Sequence, residues 1–112
     1  MIQHACGSIS DIYDDLAEIG MDCHDSVQPE ARGMAPEVLK ERFGRKVSFW
    51  GCLGSQGLLF RGSPAEIKAE VLRLHNLFKE DGGFVLMPAK PLQDGMPLEN
   101  AVAAVEAFEG LG

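Results

Sequence analysis

Gln3-His4-Ala5-Cys6-Gly7-Ser8 ends a short apolar run and opens a turn, and Cys23-His24, Gly51-Cys52 and Pro88-Ala89-Lys90 do the same further along the chain. Each of these stretches reads as the end of a β-strand that hands the chain to a helix. Strict alternation of strand and helix implies parallel strands joined by right-handed crossovers. The four strand ends then share one rim of the sheet, and chemistry is expected on that rim.

Working outward, Met1 to Cys6 is the first strand. A strand that begins at the first residue suggests a chain cut from something longer. Ser8-x-x-Asp11 has the form of a capping box, and Ile12, Leu16 and Ile19 recur at helical spacing, which predicts a helix of about 11 residues stopped by Gly20. Met21 to His24 is the second strand, followed by a loop over Asp25-Ser26-Val27-Gln28-Pro29-Glu30. Pro36 at a first helical position and Gly44 after Phe43 bound a second, shorter helix. Val47-Ser48-Phe49-Trp50 is the third strand, and the permissive run Gly51 to Gly57 after it suits close approach by a ligand.

Ser63-Pro64-Ala65-Glu66 joins a capping box to a first-turn proline, and Ile67, Val71, Leu74 and Phe78 form the stripe of a third helix. Gly82-Gly83 ends that helix and releases the fourth strand, Phe84 to Met87. Pro97-Leu98-Glu99-Asn100 opens the last helix, with Val102, Val105 and Phe108 predicted on its buried side. No G-x-G-x-x-G follows the first strand, and the long loops are those after strands, as on the active face of a (β/α)₈ barrel. Such a barrel needs about 250 residues, so four units make half of one. The fold class is therefore α/β, a half (β/α)₈ barrel forming one domain over residues 1–112.

A net charge of −7 argues against a nucleic-acid or anionic-membrane surface, since a backbone-binding face needs clustered Lys and Arg. No apolar run approaches the roughly 20 residues that span a bilayer. Three Cys without a signal-like apolar stretch fit a reduced, cytoplasmic setting better than a disulfide framework.

His4 and Cys6 stand two residues apart, and in an extended segment positions i and i+2 point to one face. An imidazole and a thiolate so placed can converge on one metal. The alternative is a Cys packed as a small hydrophobe beside a His that closes a strand.

His4-Ala5-Cys6-Gly7-Ser8, Leu16 to Asp22, Val27-Gln28-Pro29-Glu30-Ala31, Phe49-Trp50-Gly51, Gly82-Gly83-Phe84 and Pro97-Leu98-Glu99-Asn100 together resemble the C-terminal half of the uroporphyrinogen decarboxylase superfamily. The resemblance runs over nearly the whole chain and implies a (β/α)₈ barrel with one of two chemistries. One is cofactor-free decarboxylation of uroporphyrinogen, a step of porphyrin and heme biosynthesis. The other is methyl transfer between a corrinoid (cobalamin-type) group and a thiol or a methylated substrate, by enzymes that carry zinc on an H-x-C motif at the fifth strand and a later Cys near the eighth. His4 and Cys6 match the first two ligands, which favours the methyltransferase branch. The place of the later Cys falls near Ala89 or Lys90, neither of which replaces a thiolate. Cys52, Cys23 and His24 are then the candidates for a third ligand, against plain roles in packing, a turn and a loop.

Gln28, Gln56 and Gln93 are candidates to orient the corrinoid or substrate, and Lys90 to pair with a substrate carboxylate; the alternative for each is a solvated loop residue. In the decarboxylases the residues that grip the porphyrinogen come from the N-terminal half, so the resemblance implies that they lie outside residues 1–112. Half a barrel leaves two strand edges unpaired and an apolar interior open, which predicts closure by homodimerisation or by a partner chain. A non-catalytic half-barrel that only assembles is the reading from a different class.

Overall fold

The computed structural model describes residues 1–80 and 82–111. Four strands, β1 (Ile2–His4), β2 (Cys23–Val27), β3 (Ser48–Leu53) and β4 (Phe84–Pro88), form one sheet in the order β1-β2-β3-β4. Every neighbouring pair is parallel. Helices α1 (Tyr13–Glu18), α2 (Pro36–Phe43), α3 (Leu58–Arg61), α4 (Pro64–Phe78) and α5 (Leu98–Gly110) lie in the connections and after β4. The fold is α/β, four parallel strands alternating with helices, consistent with part of a (β/α)₈ barrel.

Alternation along the strands sorts the sheet into two faces. The paired row His24, Phe49 and Phe84 turns toward the helices. There Tyr13 stacks on Phe43 at 4.7 Å, Phe49 lies 5.9 Å from Phe78, and Phe78 stacks on Phe84 at 4.0 Å. Val71, Leu74, Ile67 and Leu39 complete this core and are almost fully buried. The next row, His4, Asp25, Trp50 and Val85, belongs to the opposite face. Ile2, His4 and Val85 on that face are exposed.

Helix α4 has the start that its sequence predicts. Ser63 Oγ accepts from the Glu66 amide at 3.2 Å, the Glu66 carboxylate accepts from the Ser63 amide at 3.3 Å, and Pro64 stands at the first helical position. Its stripe of Ile67, Val71, Leu74 and Phe78 is buried throughout.

Elsewhere tertiary contacts move the boundaries. Ser8 does not cap a helix, because its hydroxyl donates to the Arg32 carbonyl at 2.5 Å. A 3₁₀ turn over Ser10–Ile12 leads instead into a six-residue α1. Tyr13, stacked on Phe43, is the buried position and Leu16 packs half-buried against the core, whereas Ile12 in the 3₁₀ turn and Ile19 just after α1 are exposed.

Strand β2 continues past His24 to Val27, so Asp25-Ser26-Val27 is strand where a loop is expected, with a register shift between Asp25 and Val27. Strand β3 likewise runs through Gly51 and Cys52 to Leu53. At Gly51 a Cβ would sit 3.0 Å from the Val27 backbone nitrogen and oxygen, and φ is +108°, so glycine is required by both crowding and conformation.

In α5 the buried residues are Asn100, Ala103 and Ala104, whereas Val102 and Val105 are exposed and Phe108 is half-buried. Small side chains face α4 and let the two helices pack, which turns the valines outward. Asn100 Nδ2 donates to the carbonyls of Leu59 and Gly62, each at 2.9 Å, tying α5 to α3. No helix among the described residues is long and apolar enough to cross a membrane.

Candidate metal centre

Strand β1 stops at His4, short of the predicted end at Cys6, and four bonds fix the backbone of the segment that leaves it, His4 to Ser8. The Ala5 amide donates to the Asp25 carbonyl at 2.9 Å. His24 Nε2 donates to the Ala5 carbonyl at 2.9 Å. The Gly7 amide donates to Gln28 Oε1 at 2.5 Å, and the Ser8 hydroxyl holds the Arg32 carbonyl. Gly7 has φ of +78°, a left-handed turn that redirects the chain directly after Cys6.

On this frame His4 and Cys6 extend to one side, in accord with their spacing. Cys6 Sγ lies 3.7 Å from His4 Nε2. Two donors of a tetrahedral zinc, at bond lengths of about 2.0–2.1 Å to nitrogen and 2.3 Å to sulfur, stand about 3.6 Å apart. The 3.7 Å separation is close to that distance and is equally that of a thiol–imidazole hydrogen bond. The His4 side chain is 67% exposed, so the approach is open.

The other ring nitrogen of His4 meets Asp25. Nδ1 lies 3.3 Å from Asp25 Oδ2. The Asp25 side chain thus meets one nitrogen of the ring and the Cys6 thiol the other. Asp25 falls within a stretch expected to be loop, and the sequence signal that points to it is the register. As the second residue after Cys23 on an extending strand, it pairs directly with His4.

The candidate third ligands are not brought to this pair. Among the described residues no group of three or more His, Cys, Asp and Glu side chains is placed to hold a metal. His24 is fully buried on the helix-facing side, where Nε2 donates to Ala5 and Nδ1 accepts from the Tyr13 hydroxyl at 2.5 Å. Both ring nitrogens are thus committed. Burial lowers its pKa, against a smaller opposing effect of the Ala5 bond, so the ring is held neutral.

Cys52 is fully buried with φ of +70°, and burial, aided by the nearby Glu37 carboxylate, pushes its thiol far above the usual range. A thiolate there is strongly disfavoured. Cys23 is also buried, two residues before Asp25, and burial followed by the Asp25 charge raises its pKa.

The candidate substrate groups are scattered. Gln28 is buried and its side-chain oxygen is used by Gly7, so it supports the H-x-C segment where a substrate contact was expected. Gln56 and Gln93 are exposed in the loops after β3 and β4. Lys90 is half-buried just beyond β4, and no ion pair among the described residues involves it. Ser26, on the same rim, donates its hydroxyl to the Ala89 carbonyl and ties the end of β2 to the segment after β4.

The model of the family described as Uroporphyrinogen decarboxylase (URO-D) matches residues 1–111 of this chain. No curated protein and no solved structure matches it.

Proposed function

The chain belongs to the uroporphyrinogen decarboxylase family, and from that premise we propose that it carries the zinc-binding rim of a corrinoid-dependent methyltransferase. The 3.7 Å approach of Cys6 Sγ to His4 Nε2, on an exposed strand end, carries this reading. Two protein donors are one short of the three that catalytic zinc sites carry, so this reading requires a third ligand from outside the cluster besides the open position for substrate. Zinc bound here would withdraw charge from a substrate thiol so that it is a thiolate at neutral pH, the nucleophile for displacing a methyl group from a corrinoid.

The chain's own residues supply position. His4 and Cys6 hold two corners, while His24 and Gln28 fix the peptide groups between and beyond them. Gln56, Gln93 and Lys90 stand on loops after β3 and β4, where a bulky substrate would meet them.

Completion of the barrel by four further βα units is part of the same reading, with a second copy or a partner chain as the source. β1 and β4 each have one unpaired edge in the sheet order. The flanking helices expose Ile12 and Ile19 on one side and Leu98, Val102 and Val105 on the other, and the inner face exposes Ile2 and Val85. These are the surfaces a closed barrel would cover. The three cysteines are free, which supports a reducing cytoplasmic setting.

Native mass spectrometry of the purified chain tests both parts, since one spectrum reports chain count and tightly bound metal. The expected species is an assembly of more than one chain, with zinc that disappears in the His4→Ala/Cys6→Ala double variant. Stoichiometric zinc retained by the double variant would sink the site. A stable metal-free monomer would remove both the zinc and the closure.

A further inference from the structure

We infer that the two open flanks of the half-barrel receive a partner polypeptide of different sequence whose flanking helices are cationic, and that charge opposes closure by a second copy. This rests on the reading above that four further βα units complete the barrel, and it chooses between the two sources. The first ground is where the charge lies. Asp11, Asp14, Asp15 and Glu18, on α1 and the turn that leads into it, contribute −4 with no cation among them. Glu99, Glu106 and Glu109 on α5 contribute −3, again with no cation. These seven residues account for the whole net charge of −7, because the chain has 17 acidic and 10 basic residues and the rest balances at 10 of each.

The second ground is position. Helix α1 follows β1 and α5 follows β4, the two strands with an unpaired edge. Helix α5 packs on α4, and its Leu98, Val102 and Val105, spaced at i, i+4 and i+7, form an exposed stripe that runs on to Glu109. Ile12 and Ile19 are exposed on the other flank, with Asp15 between them. An apolar stripe bordered by one sign of charge is the form of a helix seam whose partner is selected by charge.

The third ground is what the nearby cations do. Lys46 reaches Asp14 at 3.2 Å and Lys68 reaches Glu106 at 2.7 Å. Asp11, Asp15, Glu18, Glu99 and Glu109 take part in no ion pair among the described residues. Five carboxylates therefore remain for a neighbour to meet.

Closure by a second copy would pair β4 of each chain with β1 of the other, so every contact would occur twice. In a barrel of parallel strands the helix after one strand lies beside the helix after the next, which brings α5 of each copy against α1 of the other. Each seam would then gather seven carboxylates and, from the two helices, no cation. Like charges so juxtaposed reject a wrong partner, whereas lysines or arginines beside the same apolar stripes favour the right one.

The test is sedimentation equilibrium of the full chain at about 0.01 M and about 1 M ionic strength, where exposed charges act over about 30 Å and about 3 Å. Four proteins are compared: the unaltered chain, an α1 variant (Asp11→Lys/Asp15→Lys/Glu18→Lys), an α5 variant (Glu99→Lys/Glu109→Lys) and the combination of all five substitutions. Each single-flank variant is cationic on one flank and acidic on the other, and serves as its own charge-complementary partner. At low salt these two should self-associate at least about tenfold more tightly than the unaltered chain, and salt should weaken them. The unaltered chain and the five-site variant, like-charged on both flanks, should associate more tightly as salt is added. If a lysine variant is not folded by circular dichroism, the neutral set Asp11→Asn/Asp15→Asn/Glu18→Gln decides, with tighter low-salt association than the unaltered chain expected.

Self-association of the unaltered chain that matches the single-flank variants at low salt, or that weakens as salt is added, overturns the charge selection. It makes a second copy the occupant and leaves closure standing. Absence of association in all of these proteins at both ionic strengths overturns the closure itself, and this inference with it.

Discussion

His24 is the buried group on which the candidate site leans, and acidification should weaken the fold through it. In the folded chain its ring is fully enclosed, with Nε2 donating to Ala5 and Nδ1 accepting from Tyr13. Burial lowers its pKa below the ordinary value of 6.5. Well above pH 6.5 the ring is neutral in both folded and unfolded chains, and its contribution does not change with pH. Below pH 6.5 the unfolded chain takes up a proton that the folded chain refuses, so stability falls as pH falls until the lowered folded pKa is reached. The slope contributed by one such group is at most about 1.4 kcal/mol per pH unit. Urea denaturation followed by Trp50 fluorescence at about pH 7.5 and about pH 5.5, for the unaltered chain and for His24→Gln, isolates this contribution, because the other titrating groups are common to both. The unaltered chain should lose more stability than the variant over that interval. At the higher pH, Tyr13→Phe should cost about 1–3 kcal/mol, the desolvation penalty of a buried acceptor left without its donor. Parallel pH dependences for the unaltered chain and His24→Gln, together with a neutral Tyr13→Phe, would refute the reasoning.

Two further substitutions probe the parts that shape the rim. Gly51→Ala should destabilise by about 1–3 kcal/mol, since its Cβ meets the Val27 backbone at 3.0 Å in a left-handed conformation; the urea midpoint should drop, and an unchanged midpoint would contradict the close approach of β2 and β3. Asn100→Ala should cost about 1–3 kcal/mol for each carbonyl left buried without a donor, read as a lowered thermal midpoint, and a smaller loss would show that water replaces the amide at Leu59 and Gly62.

The parts of the fold that are legible in the sequence are those where local chemistry and tertiary need agree. Ser63, Pro64 and Glu66 specify the start of α4 by hydrogen bonds that close within one turn, so nothing distant can overrule them. The parallel order follows from alternation alone. Asp25 and Gly51-Cys52 read as loop because Asp and Gly disfavour strands intrinsically, whereas here pairing with His4, Val27 and Met87 holds them in the sheet. The four residues of α3 are too few to show a helical period. In α5 the apolar stripe points to the valines, but close packing on α4 selects the alanines.

The site divides in the same way. The H-x-C pair is visible because its spacing of two needs only an extended backbone, and the structure keeps it. Gln28 and His24 are visible as polar residues near a strand end, but not as supports, since their role depends on which peptide group each meets across the β1–β2 pair. Asp25 is hidden as a partner of His4 for the same reason.

The His4–Cys6 pair is restrained mainly from the β2 side. Apart from the Gln3 side-chain amide, which donates to the His4 carbonyl, the bonds that restrain the His4–Ser8 segment come from β2 or the loop beyond it: Asp25, His24, Gln28 and Arg32. The opposite side of β1 is an edge in the strand order. The two donors are therefore held by this chain alone, whatever lies beside β1. On the proposed zinc reading, the third ligand and the substrate would have to come from beyond these two residues. A neighbour that completes the sheet would thus alter the third ligand and the substrate without altering the geometry of His4 and Cys6. Zinc affinity should accordingly survive mutations on the exposed faces of α1 and α5 and respond to those at Asp25, His24 and Gln28.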